Sequence, residues 1–339
     1  MLKIPYDALI ETLARGLFRA GIRDERRFRL AEVFAGNSAE GVYSHGVNRY
    51  MRFLAEIENG TVDISAKTET VSAFGGIEVR DAHFGIGPIN AEDAMARAVA
   101  LSKTHGIACV AVRNTNHWLR PGRYGWQAAD AGVIGILWSN TINNMPAWGA
   151  VDPKLGNNPI VMAIPREKGS VVIDLAMTQF AFGKLEIAKL SREQLPMPGG
   201  FDEGGNLTTD PEAIQKSKRP LPIGYWKGSA LSLALDMIAA ATALGRTTAM
   251  VAADSSTEHG ITQMFIAINF RAAVDPARAD EILDTAIDSL LRSTPVDPDF
   301  PVRYPGQNTK AIRERNLREG VPIHEETWAR ITEYVEGSD

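Results

Sequence analysis

Glu69-Thr70-Val71-Ser72-Ala73-Phe74-Gly75-Gly76-Ile77-Glu78-Val79-Arg80-Asp81 is the stretch that decides the fold. Residues before Thr68 are spaced as helices. Here two runs rich in β-branched and aromatic residues flank Gly75-Gly76, which predicts a hairpin. Beyond it strands and helices alternate. Asn90 to His105 sets Ala91, Ala94, Met95, Ala98 and Val99 on one helical face. Ile107 to Val112 follows as an apolar strand. Strands at 133–138, 160–164, 171–175 and 261–270 alternate with helices at 124–130, 180–190 and 279–291. Such alternation predicts an α/β body with a central mixed β-sheet and flanking helices.

Working outward, Leu9, Ile10, Leu13, Leu17 and Phe18 form the apolar face of a first helix between Pro5 and Gly21. Asp24 is placed to cap a second, running through Leu30, Val33 and Phe34 to Gly36. Val47, Tyr50, Met51, Leu54 and Ile57 stripe a third that stops at Gly60. Helices at 311–318 and 325–335 close the chain. The expected division is a helical segment at 1–66, an α/β body at 67–292 and a C-terminal segment at 293–339 packing on the helical part. Residues 196–226 read as a long irregular connection. Gly228 to Leu244 is apolar nearly all round, which predicts a buried helix.

The 339 residues are 45% hydrophobic and 23% charged, with a net charge of −5, which argues against a nucleic-acid partner. Cys109 is the sole cysteine, so no intrachain disulfide forms, as in a reducing compartment. Asp7 and Glu11 interrupt any leader-like N-terminus. The most apolar run, Ala230 to Leu244, carries Asp236 and is too short to span a bilayer. A cytoplasmic protein that stays off membranes is expected.

Chemistry gathers in a few places. Gly41-Val42-Tyr43-Ser44-His45-Gly46-Val47-Asn48-Arg49 sets a hydroxyl, an imidazole and a guanidinium within six residues. With Ser44 as N-cap of the third helix, His45 would stand at its entrance, ready to exchange a proton near neutral pH. The residues alone equally allow His45 to complete the cap or pack on a neighbouring helix. Asn114-Thr115-Asn116-His117-Trp118-Leu119-Arg120-Pro121-Gly122-Arg123-Tyr124-Gly125-Trp126 follows a strand end, where α/β proteins place sites. Turn-making and aromatic packing account for its Trp residues, but give no reason for Asn114, Asn116, His117, Arg120 and Arg123 together. Asp174, inside the apolar run Ser170 to Ala176, needs a hydrogen-bond partner. Lys227, at the start of the apolar helix, suits either a phosphate or solvent.

Absences matter too. Phe84-Gly85-Ile86-Gly87-Pro88 lacks the third glycine of G-x-G-x-x-G, and no P-loop is present. The histidine spacing fits no zinc site, so no metal is expected. Ser44 beside His45 is not a nucleophile pair, and G-x-S-x-G is missing.

GVYSHGVNRY (41–50), NTNHWLRPGRYGWQAA (114–129), PAWGAVDPKLGNNPIVMAIP (146–165), GGFDEGGNLT (199–208) and LPIGYWKGSALSLALDMIA (221–239) resemble the malate/L-lactate dehydrogenase family. The resemblance implies a non-Rossmann dinucleotide-binding fold with a helical domain built from the chain termini. It implies a homodimeric NAD(P)H-dependent reductase of small anionic 2-oxo acids, here a diketo sugar acid, with the site near the subunit interface. NADH is the expected cofactor and NADPH the alternative. His45 would protonate the substrate carbonyl oxygen. Arg49, on a neighbouring face one turn along, would clamp the carboxylate, while Ser44, His117 and Arg120 would hold other oxygens. The cofactor would lie on Ser170, Val171, Val172, Ile173, Asp174, Leu175 and Ala176, on Trp226 and Lys227, and on Gly306, Gln307 and Asn308. Relatives carry His-Glu where Gln307-Asn308 stand. Malate, lactate, ureidoglycolate or a cyclic imino acid (piperideine-2-carboxylate) are alternative substrates, and a non-catalytic sugar-acid-binding protein is the remaining class. A histidine at a helix N-terminus is disfavoured as imidazolium, so a carboxylate hydrogen-bonded to His45 is expected to offset this.

Overall fold

The computed structural model describes residues 1–254 and 258–337. It begins with β1 (Leu2–Ile4), α1 (Tyr6–Arg19), α2 (Arg26–Ala39) and α3 (Tyr50–Glu58). The hairpin follows as β2 (Glu69–Phe74) and β3 (Ile77–Asp81), then α4 (Gly87–His105), β4 (Ile107–Asn116), α5 (Gly122–Asp130) and β5 (Ile134–Ser139). A short ribbon of β6 (Met145–Pro146) and β7 (Pro153–Leu155) leads to β8 (Ile160–Ile164), β9 (Val171–Leu175) and α6 (Phe182–Leu190). Residues 196–226 are more ordered than their composition suggests. They hold a second ribbon, β10 (Gly200–Phe201) with β11 (Leu207–Thr208), and α7 (Pro211–Ser217), whose Asp210 side chain caps it. Last come α8 (Trp226–Ala243), α9 (Thr248–Asp254), β12 (His259–Ile268), α10 (Pro276–Leu291), α11 (Thr309–Glu319), β13 (Val321–Ile323) and α12 (Glu325–Glu336).

Seven strands form one sheet in the order β2-β3-β4-β12-β5-β8-β9. Only β3 and β4 run parallel, joined across α4; the other neighbours are antiparallel. The mixed sheet is therefore not a doubly wound parallel one, which explains the missing glycine fingerprint. Gly85-Ile86-Gly87-Pro88 instead starts α4. A side chain at Gly87 would collide with the Asn116 and His117 carbonyls, so this glycine lets the helix approach the end of β4.

The two-residue strand period sorts the core. Val110, Val112, Phe265 and Ala267 face α4 and α5, while Ala111 and Met264 face α8 across the sheet. The chain ends meet separately. β1 pairs with β13, and Leu9, Leu13, Leu17, Leu30 and Phe34 pack with Val321, Ile323 and Ile331. Each such side chain removed from water contributes about 1.5–3 kcal/mol. Phe18 falls outside this cluster, half exposed beneath the Arg23 and Arg27 guanidiniums.

One helix departs from expectation. α8 lies on the sheet with Leu235, Ala239 and Ala243, but Leu231, Leu233, Met237 and Ile238 are 42–58% exposed. An all-apolar helix with one face on a sheet leaves its other face in water. Among the described residues, no helix is long and apolar enough to cross a membrane.

Candidate active site

Ser44 does not cap a helix. Residues 43–45 and 47–49 form two 3₁₀ turns, and α3 starts only at Tyr50. The dipole at an α-helix N-terminus therefore does not act on His45. The turn is pinned to α2 instead: Asn37 Nδ2 donates to the His45 carbonyl at 2.8 Å, and the Val47 N–H donates to Ser38 Oγ at 2.9 Å. Gly46 between them has no room for a side chain against Ser38. The Tyr50 hydroxyl, donating to the Leu13 carbonyl at 2.6 Å, anchors the start of α3.

His45 Nδ1 lies 3.0 Å from Ser44 Oγ, and its ring stacks on His117 with centroids 5.8 Å apart and planes 12° from parallel. The two sequence clusters thus meet in space. His117 Nδ1 accepts the Leu119 N–H at 3.0 Å, which leaves Nε2 to carry the proton of the neutral ring. Asn116 pins this loop by donating to the carbonyls of Thr61, Phe84 and Gly85.

Burial, with Arg49 and Arg120 nearby, holds His45 down at about 4, and burial and Arg49 lower His117 as well. The anticipated carboxylate partner of His45 is not there: among the described residues its ring's hydrogen-bonded neighbour is Ser44, and its charged neighbours are cations. Arg49 makes no ion pair or hydrogen bond through its guanidinium among the described residues, though Glu258, Glu56 and Glu186 face it and Arg52 repels it. A part-buried, unpaired guanidinium is a ready seat for a carboxylate. Arg120 is committed. It bonds Glu40, and its Nε lies 4.0 Å from Asp174. That pairing makes it a source of positive field at His45 more than a free clamp.

Asp174 ties this region to the next. Its carboxylate accepts the Gly122 N–H at 2.9 Å, at the start of α5. Its side chain keeps 28% exposure, yet crowding by protein raises its pKa, opposed by Arg120 and the Gly122 N–H. The three segments suggested for a cofactor converge on β9, the sheet edge. The Val172 N–H donates to the Pro305 carbonyl at 3.1 Å, bringing Gly306, Gln307 and Asn308 alongside. The Ile223 N–H donates to the Met177 carbonyl at 2.9 Å, bringing up Trp226 and Lys227, both exposed. Gln307 Oε1 accepts the Tyr304 N–H at 3.1 Å, closing its own turn. Behind them α6 starts against the Ser44–His45 turn, because a Cβ on Gly183 would stand 2.9 Å from Ser44 Cβ. A cavity of about 350 Å³ lies farther along, lined by Gln179, Met197, Leu207, Leu221 and Tyr225, away from His45.

Glu258 is the site residue that the motifs did not reveal. It precedes β12, faces Arg49 and accepts the Ile142 N–H, while the imidazole next to it in sequence, His259, stacks on Phe84 instead. Among the described residues no cluster of three metal-ligating side chains occurs.

A family model described as malate/L-lactate dehydrogenase matches residues 4–332. The chain is 41% identical to a 2,3-diketo-L-gulonate reductase of Citrobacter koseri and 42% identical to one of Klebsiella pneumoniae, over 97% of this chain and 99% of each relative. Among solved structures it superposes on a malate dehydrogenase from Pyrococcus horikoshii (TM-score 0.89, 25% identity, 100% of this chain and 96% of that one). It also superposes on the Δ1-piperideine-2-carboxylate reductase of Pseudomonas syringae (TM-score 0.87, 25% identity, 98% and 100%). A dehydrogenase and reductase family implies a nicotinamide cofactor, and the residues at β9 fit one. Thr178 Oγ1 and Trp126 Nε1 are buried without a partner among the described residues. Gly306 lies against the Trp126 ring, where a Cβ would be 3.1 Å from it. The chain belongs to the malate/L-lactate dehydrogenase family and is one of its oxidoreductases.

Proposed function

We propose that this protein reduces a 2-oxo sugar acid, 2,3-diketo-L-gulonate, to its 2-hydroxy product with NADH. The observation that carries the reading is His45 stacked on His117, whose burial favours the neutral ring, near Arg49, which makes no ion pair among the described residues. Identity of 41–42% over nearly the whole length to reductases named for that substrate supports it. Ser170–Ala176, Trp226–Lys227 and Gly306–Asn308 would hold the nicotinamide cofactor, which would supply the hydride when bound. Arg49 binds the substrate carboxylate and so orients the adjacent carbonyl. Ser44 and His117 hold oxygens, and Arg120 fixes Asp174 and the start of α5. His45 gives its proton to the carbonyl oxygen as it becomes a hydroxyl. The substrate carboxylate offsets Arg49, which favours the protonated imidazole when substrate is bound. Asp174 on the cofactor strand suits ribose hydroxyls better than a 2′-phosphate, which favours NADH over NADPH.

A second copy of the chain completes the picture. The exposed apolar face of α8 adjoins Trp226 and Lys227, and exposed apolar patches rimmed by polar residues mark association surfaces. A homodimer covering it would set the subunit interface beside the cofactor segments. The lone thiol, Cys109, suits a cytoplasmic setting.

The test follows NADH and NADPH oxidation with 2,3-diketo-L-gulonate, pyruvate, oxaloacetate and Δ1-piperideine-2-carboxylate. The diketo sugar acid with NADH should give the highest kcat/KM. A higher value with any of the other three acids would overturn the substrate assignment.

A further inference from the structure

Glu258 takes no part in the chemistry above, yet the fold delivers it to the same cleft. The β4–β12 register pairs His259 with Asn116, so Glu258 stands level with His117 at the open end of the ladder. Register shifts between His259 and Ile261 and again before Gln263 bend β12 at that end. The Ile142 N–H donates to the Glu258 carboxylate, and Arg49, Arg52 and Glu56 of the α3 region face it. Burial pushes its carboxyl up to about 7 against the pull of both arginines. Beside Ile142, the buried Oδ1 atoms of Asn143 and Asn144 have no donor among the described residues.

The cleft is therefore divided. One side offers a guanidinium and imidazoles for an acid and its carbonyl, and the other offers acceptors: the Glu258 carboxylate, which takes the Ile142 N–H, and the Asn143 and Asn144 Oδ1 atoms, which take no donor among the described residues. Buried acceptors left without donors cost free energy until a donor arrives. Hydroxyl donors that would satisfy these acceptors are what a polyhydroxylated tail carries. We propose that Glu258, with Asn143, is the specificity-determining group that receives the hydroxyl tail of the sugar acid while Arg49 holds its carboxylate. This rests on the substrate reading above, and it separates a sugar acid from short acids that present only a carboxylate and a carbonyl.

If Glu258 served only to balance Arg49, its loss would weaken every carboxylate alike. If it receives hydroxyls, the loss falls on the tail alone. The experiment measures NADH oxidation with 2,3-diketo-L-gulonate, together with competitive inhibition by oxamate, which has a carboxylate and no hydroxyls. Wild type, Glu258→Leu and Glu258→Gln are compared, with thermal melts on each. Glu258→Leu should raise KM about tenfold or more, the scale of a lost hydrogen bond to a charged group, with kcat within roughly threefold and the oxamate Ki unchanged. Glu258→Gln, which still accepts and donates, should recover part of the loss, and it alone decides the matter if the leucine variant does not fold. An unchanged KM, or a KM and an oxamate Ki that rise together, would overturn the proposal. Wild type that fails to turn over the diketo sugar acid overturns the substrate reading itself, before any variant is compared.

Discussion

Burial and two neighbouring guanidiniums leave the His45 imidazole neutral at physiological pH in the free protein, whereas a reductase needs it protonated. In the proposed reaction a substrate carboxylate on Arg49 would supply the compensating charge. An NMR titration of His45 should therefore show a midpoint near 4 without ligand, moving upward when oxamate is bound. An unliganded midpoint at 6.5 or above would contradict the burial argument. Because the folded value lies below the unfolded one, the unfolded chain binds more protons between them. His45 thus contributes to stability lost as pH falls from about 6.5 toward 4. Replacing Arg49 with Met should raise KM for a 2-oxo acid by about tenfold or more and raise the His45 midpoint, since one repelling cation is gone; a KM equal to wild type would remove Arg49 from the clamp. At this scale the sequence was legible where chemistry was crowded. His45, Arg49 and His117 stood out because imidazoles and guanidiniums sat close together in the chain. Glu258 did not, because Arg49 and Ile142, which face it, lie far away in sequence and only the folded chain brings them close. The carboxylate expected beside His45 was inferred from a helix dipole, and the 3₁₀ turns remove that premise.

Elements position these groups through tight contacts at glycine. Gly183 lets α6 start against Ser44, and Gly183→Val should displace the Ser44–His45 turn. Overpacking of this kind costs about 1–3 kcal/mol, and misplacing a catalytic group by about 1 Å costs as much as a hundredfold in rate. Steady-state kinetics with a denaturant melt should show a fall in kcat much larger than the loss of stability accounts for; a fully active variant would mean that α6 does not set the turn. Periodicity made most strands and helices readable, since Val110, Val112, Phe265 and Ala267 alternate with residues of the opposite face. It misjudged residues 196–226, where Asp210 caps a short helix that Pro and Gly content concealed. It also misjudged α8, because an apolar surround shows that a helix avoids water but not what covers it.

For the whole molecule, that uncovered face is the open question the chain poses. A dimer formed through α8 should run at twice the 36.9 kDa chain mass in light scattering, and Met237→Glu, placing a charge amid the exposed face, should release monomers. A wild-type monomer at micromolar concentration would contradict the assignment. The mixed sheet was readable from the hairpin onward, and the pairing of β1 with β13 accounts for the way both chain ends share one core. The missing glycine marked the absence of a Rossmann fingerprint, the family resemblance implied a non-Rossmann fold, and the nearly all-antiparallel order gives the structural reason for both.

His45 as proton donor is tested by NADH oxidation with 2,3-diketo-L-gulonate, comparing wild type and His45→Ala at matched thermal stability. kcat should fall roughly 10²- to 10⁴-fold while the melting temperature stays close to that of wild type. A variant turning over at the wild-type rate would contradict it.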